Sequence, residues 1–176
     1  GSAGIPMILR GPDLPAGTRN KTIVSLVDVY PTVLDCVGIR PDAEDGKLPG
    51  SSLLDFARGR EEERTAFSEY YSQGIYTAMF MLRKKAYKYV HYVNERPQLF
   101  NLEQDPEERE DLAGRPEYAP LLEEMYRELK SVADVEQLEL DSKEAQRQLL
   151  LQHGGREEFL KSFKPALFSP IPDLSR

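Results

Sequence analysis

The chain contains no tryptophan, one cysteine and two histidines among its 176 residues. A single thiol excludes a disulfide framework. The two histidines, His91 and His153, have no Cys, His or Asp at a ligand spacing, so no imidazole-based metal site is legible. Long apolar runs are missing too: stretches such as residues 5–9 fall far short of the ~20 residues that a membrane-spanning helix needs. Basic residues are outnumbered 23 to 30, for a formal charge of −7. No Lys/Arg cluster is long enough to track a phosphate backbone, which argues against nucleic acid as a partner.

Catalytic signatures are equally scarce. The sequence has no G-x-S-x-G elbow, no phosphate-binding G-x-x-x-x-G-K-[ST] loop, no H-E-x-x-H helix and no D-x-D-x-D-G calcium loop. The acid-rich run 105–111 reads as a turn followed by a charged helical turn, not as a metal cage. Cys36, set in Val33-Leu34-Asp35-Cys36-Val37, reads as a buried, inert thiol. The start Gly1-Ser2 carries neither Met nor a secretory leader, as if the chain were entered midway, and the compartment stays open between cytoplasm and periplasm.

What is present is an ordinary globular composition, 40% hydrophobic and 30% charged, in a chain long enough to bury about 70% of its unfolded surface. Residues 5–9 and 22–26 read as short strands around a Gly- and Pro-rich turn. Asp28 is placed to cap a helix to about Val37, with Tyr30, Val33, Leu34 and Val37 as its apolar stripe and Gly38 as its stop. Ser51 or Ser52 starts a short helix carrying Leu53, Leu54 and Phe56. Strands follow at about 65–71, 76–83, 87–93 and 97–102, and connections this short force antiparallel neighbours. Alternation puts Tyr87, Tyr89, His91 and Val93 on one face. A helix from Pro116 to about Val132, with Tyr118, Leu121, Leu122, Met125, Leu129 and Val132 in a stripe, would cover that sheet. Asp141 and Glu144 have capping-box spacing for a further helix ending at Gly154-Gly155, and Pro165 to Arg176 reads as an extended arm bearing Leu167, Phe168 and Ile171 behind Phe163. The fold class is α+β: a small four-stranded antiparallel sheet packed by a long helix, preceded by a strand–helix segment and followed by a helical tail.

Several phrases occur together in order. Ile5-Pro6-Met7-Ile8-Leu9 precedes Val24-Ser25-Leu26-Val27-Asp28-Val29-Tyr30-Pro31-Thr32-Val33-Leu34-Asp35. Arg83 with Tyr87-Lys88-Tyr89 follows, and then Gln98-Leu99-Phe100-Asn101-Leu102-Glu103-Gln104-Asp105-Pro106-Glu107-Glu108. This order resembles the C-terminal portion of the type I sulfatases of the alkaline phosphatase superfamily over roughly residues 1 to 130. Ser68-Glu69-Tyr70-Tyr71 and His153-Gly154-Gly155-Arg156-Glu157 look most like choline-sulfatase-type members.

The resemblance implies three parts: 1–60 as the end of a catalytic α/β domain, 61–133 as the C-terminal subdomain, and 134–176 as a helical tail. It implies sulfate-ester hydrolysis by a formylglycine, made from a C/S-x-P-x-R motif, beside a calcium ion. That motif is absent here, since Cys36 is followed by Val37-Gly38, so the chain alone is expected to be inactive. The gem-diol nucleophile has no substitute among ordinary side chains, and the sulfate charge would go unneutralised. The expected partners are the N-terminal catalytic domain of the same protein and further copies of it in a homo-oligomer. Glu69 is implied as the contact to a cationic substrate head group. Tyr71, with Tyr70 and Tyr76 nearby, could offer an aromatic face; sheet packing is the plainer role for each tyrosine and for His91. Two alternatives stay open at this point: the C-terminal part of a phosphonate monoester hydrolase, and a self-standing interaction or oligomerisation module.

Overall fold

A computed structural model describes residues 4–71 and 75–162. The chain divides into two compact units, Gly1–Val135 and Glu136–Arg176.

The first unit is built on a four-stranded sheet, β1 (Thr65–Tyr70), β2 (Met79–Lys84), β3 (Tyr87–Tyr92) and β4 (Gln98–Asn101), in the order β1-β2-β3-β4. Every pairing is antiparallel, as the short connections dictate. The β2–β3 turn is tight enough to put Lys85 at a φ of 49°. Register places Phe67, Leu82, Tyr89 and Leu99 in one row across the sheet, with Glu69, Phe80 and His91 in the next. Leu82, Phe80 and Leu99 have no exposed surface.

Helix α3 (Ala119–Val132), entered through a single 3-10 turn at Pro116–Tyr118, covers this face. Met125 and Leu129 are its buried residues, and the Tyr118 ring meets Tyr87 edge-on at 6.3 Å. Charge secures the margin. Lys84 Nζ donates to Glu128 at 2.6 Å and to Glu124 at 3.1 Å, and Thr65 Oγ1 donates to Glu128 at 2.6 Å. Val132, expected in the apolar stripe, is more than half exposed: it lies on the same side as Met125 but is the last residue of the helix. Residues 105–111 form a turn without the charged helical turn expected of them. The Asp105 carboxylate accepts Glu110 N at 2.8 Å, and the helical turn starts only at Leu112, where Asp111 caps it through Ala113 N.

Ahead of the sheet lie α1 (Val29–Cys36) and α2 (Leu53–Ala57). Ser52 caps α2 by accepting Leu54 N at 3.3 Å and also donates to Asp35 at 2.6 Å. Residues 5–9 and 22–26 form no strand, and Leu26 opens a 3-10 turn, contrary to their β-rich composition. A strand needs a neighbour for its ladder, and the sheet of this unit is made entirely by β1 to β4. Asp28 stands at the N-cap position of α1 but its side chain does not cap the helix.

The Asp28 carboxylate is completely buried and accepts four hydrogen bonds: Ser25 N at 2.7 Å, Ser51 N at 2.8 Å, and Arg64 Nη2 and Nη1 at 2.7 and 3.0 Å. Thr32, one turn on, donates to Asp28 O at 2.5 Å and accepts Leu53 N at 2.8 Å. Gly50 makes this approach possible, since a Cβ there would lie 2.2 Å from Val27 O. The inner face of α1 is therefore polar, through Asp28, Thr32 and Asp35. Of its predicted apolar stripe, Tyr30, Val33 (53%) and Val37 (61%) are exposed and Leu34 is half-buried.

Among its described residues, the second unit holds α4 (Val135–Gln152) from Glu136 onward and α5 (Gly155–Ser162), with Gly154 and Gly155 at φ 81° and 86° at the junction. Because α4 starts as early as Val135, Asp141 and Glu144 sit in mid-helix instead of forming a capping box. Asp141 accepts from Gln137, and Glu144 pairs with Arg147 at 2.7 Å, the surface pairing that spacings of three and four allow. The turn at 72–74 and the arm at 165–176 lie outside the described residues.

Burial pushes the Asp28 carboxyl up, but the donors of Arg64, Ser51 and Ser25 outweigh it and hold the group below its ordinary value. Stability from this depressed pKa is present above about pH 4, the unfolded value, and is lost as pH falls through the folded one. Arg64→Met leaves the carboxylate buried and without its counter-charge, and should destabilise the unit by about 3–5 kcal/mol at pH 7. Without Arg64, Asp28 protonates more easily, so the deficit should shrink as pH is lowered towards 3. Urea titrations of both proteins across that range check this; a deficit independent of pH contradicts it.

Candidate functional site

Glu69 and Tyr71, the two expected substrate contacts, are brought together at the far end of β1. Glu69 lies on the face that α3 covers, opposite Phe80, yet its carboxylate is exposed. Tyr71 Oη donates to Glu69 Oε2 at 3.0 Å. The Tyr71 ring meets Phe80 edge-on at 5.7 Å, and Phe80 stacks on Phe67 at 6.3 Å. Alternation along the strand puts the residues there: Phe67, Glu69 and Tyr71 point one way, so the polar end of an otherwise apolar row reaches solvent. An accessible carboxylate beside an aromatic ring can take a cationic group or a hydroxyl-bearing one.

The other residues singled out by sequence are distributed elsewhere. Tyr70 lies on the opposite face, and Tyr76 is completely exposed. His91 stacks with Tyr89 at 6.3 Å and meets Tyr126 at 5.2 Å, with Tyr89 Oη 3.4 Å from its Nδ1. Burial pushes the Tyr89 phenol up to about 12, so it stays protonated throughout the working pH range. Cys36, the last residue of α1, is exposed, not buried as its apolar surroundings suggest, because no further turn of the helix covers it. His153 is exposed beside the Gly154-Gly155 break.

An open cleft of about 800 Å³ runs between residues 21–23 and 61–64, with Arg83, Lys85 and Glu103 along its wall. Arg83 belongs to the sheet face away from Glu69. Its guanidinium donates to the carbonyls of Lys85 and Tyr87, and burial pushes its pKa down. Acids and bases are mixed along the cleft: Glu63 pairs with Lys85 at 3.3 Å, and Glu62 with Arg60 at 2.5 Å.

Among the described residues, no group of three His, Cys, Asp or Glu side chains is placed to hold a metal ion, and no helix is long and apolar enough to cross a membrane. The described residues offer no donor set for a calcium ion, and the sequence holds no C/S-x-P-x-R motif from which a formylglycine could be made. Sequence reasoning missed the Asp28–Arg64 pair, reading Asp28 as a cap. The available signal was an acid inside Leu-Val-Asp-Val, where burial is expected and a buried carboxylate needs a partner.

Comparison with known proteins adds to this geometry. Residues 1–135 match the family described as N-sulphoglucosamine sulphohydrolase, C-terminal. Arylsulfatase K of Danio rerio is 34% identical over 143 residues, covering 76% of this chain and 26% of the relative. Choline-sulfatase of Rhizobium meliloti is 34% identical over 116 residues, covering 66% of this chain and 22% of the relative. The solved structure of a 2-O GAG sulfatase superposes with a TM-score of 0.52 at 33% identity, covering 60% of this chain and 23% of that one. The chain thus spans about a quarter of the length of the relatives that it matches. With most of its length matched, this chain belongs to the N-sulphoglucosamine sulphohydrolase C-terminal family.

Proposed function

We propose that this chain is the part of a sulfuric ester hydrolase that packs on an upstream catalytic domain and borders its substrate pocket, without turnover of its own. The observation that carries the reading is the orientation of α1. A helix normally turns its apolar stripe to the core. Here the polar side faces inward while Tyr30, Val33 and Val37 face solvent, together with Ile5, Ile8 and Ile39. Apolar side chains exposed along one side of a helix in this way mark an interaction surface. Its proposed occupant is the α/β catalytic domain expected upstream, with residues 1–60 completing that domain and 61–133 forming the subdomain beside it.

In this reading the formylglycine and calcium belong to the upstream part, and sulfate is the ester group in keeping with the sulphohydrolase family match. Glu69 and Tyr71 stand at the pocket entrance and contact the portion of the substrate remote from the sulfate, a cationic head group being the class that the pair suits. The tail, 134–176, would join copies of the protein in a homo-oligomer.

Two outcomes are expected. The chain alone should not hydrolyse 4-nitrophenyl sulfate when calcium is supplied; turnover that survives repurification contradicts the proposal. In the full-length protein, Glu69→Gln should raise KM for choline sulfate relative to 4-nitrophenyl sulfate. A contact of about 1–3 kcal/mol corresponds to a change of roughly 5- to 150-fold. Steady-state kinetics on both esters measure this, and an unchanged ratio removes Glu69 from the pocket.

A further inference from the structure

Strand β1 carries Glu69 and leads directly into Tyr71, and it is an outer strand: among the described residues it pairs with β2 and with no other strand of the sheet. One edge of its backbone therefore has no ladder to fix it. Its lead-in is fixed instead by successive bridges from residues 20–28. Asn20 Nδ2 donates to Arg60 O at 2.7 Å. Glu62 N donates to Thr22 Oγ1 at 3.3 Å. Arg64 Nη1 donates to Ile23 O at 3.3 Å, and the guanidinium fork closes on Asp28 at 2.7 and 3.0 Å. The anchored residues are 60, 62 and 64, the alternation of an extended chain, so one side of the lead-in is held throughout.

We infer that Arg64 is a positioning residue for the substrate contact made by Glu69 and Tyr71, an inference that rests on the reading of Glu69 as a contact to a cationic group. Arg64 immediately precedes Thr65, the first residue of β1, and Glu69 follows five residues later, about 17 Å along an extended chain. The fork bonds both carboxylate oxygens of a buried Asp28, so it resists rotation as well as separation; a lysine ammonium, a single point of attachment, would resist separation alone. Asp28 is itself held by Ser25 N and Ser51 N. The strand is thus registered against α1 and the loop before α2, and the position of the Glu69 carboxylate depends on a residue that never meets substrate. Displacement of a contact by about 1 Å is enough to weaken its effect on a reaction.

The test uses the full-length enzyme with choline sulfate and 4-nitrophenyl sulfate as probes. Arg64→Lys should lower the preference for choline sulfate, measured as the ratio of the two KM values, by about 3- to 10-fold, with kcat on 4-nitrophenyl sulfate held within about twofold. A purely structural role would instead lower activity on both esters alike. Thr22→Val, which removes only the acceptor for Glu62 N, should shift the ratio in the same direction by less, and remains informative if Arg64→Lys does not fold. A preference unchanged in both variants, while Glu69→Gln lowers it, overturns the inference. A preference that Glu69→Gln also leaves unchanged overturns the underlying reading of Glu69.

Discussion

A buried carboxylate must be satisfied or it opposes folding, and the first unit is organised around this requirement at Asp28. Its four donors come from three places in the sequence: Ser25, Ser51 and Arg64. Meeting it brings the start of α1, the loop before α2 and the lead-in to β1 to one point. The crowding at Gly50 follows, since Ser51 N–H can reach Asp28 only if the preceding residue passes against Val27 O without a side chain. Arg64 also lies 5.2 Å over the Phe56 ring, so the same guanidinium joins the polar cluster to the apolar side of α2.

The sheet and α3 were legible because their signals are local. Short connections imply antiparallel strands, and alternation in Tyr87–Tyr92 gives the faces that the register confirms. The Met125 and Leu129 stripe gives the helix that covers one of them. Residues 5–9 and 22–26 were misread because β-propensity describes a fit to a half-buried, pleated surface, and no neighbouring strand among the described residues supplies that surface here. Periodicity also found the stripe of α1 correctly but could not say which side faces this chain.

At the candidate site, sequence pointed to Glu69 and Tyr71, and the strand geometry brings them within 3.0 Å of each other. Their identification came from resemblance, since one acid among 30 acidic residues carries no signal of its own. Arg64 was invisible for a different reason. Its partner, Asp28, lies 36 positions away, and pairing at that separation is set by the tertiary fold.

The account turns on the outward face of α1 being an interface that the rest of the sulfatase covers. The most direct measurement is the rate of thiol alkylation at position 33 in full-length protein carrying Val33→Cys and Cys36→Ser, compared with the same substitutions in this chain. Coverage predicts alkylation at least ~10-fold slower in the full-length protein, as for a site that reacts only when the structure opens. Equal rates would mean that the apolar face of α1 stays in water in the intact protein, and would contradict the account.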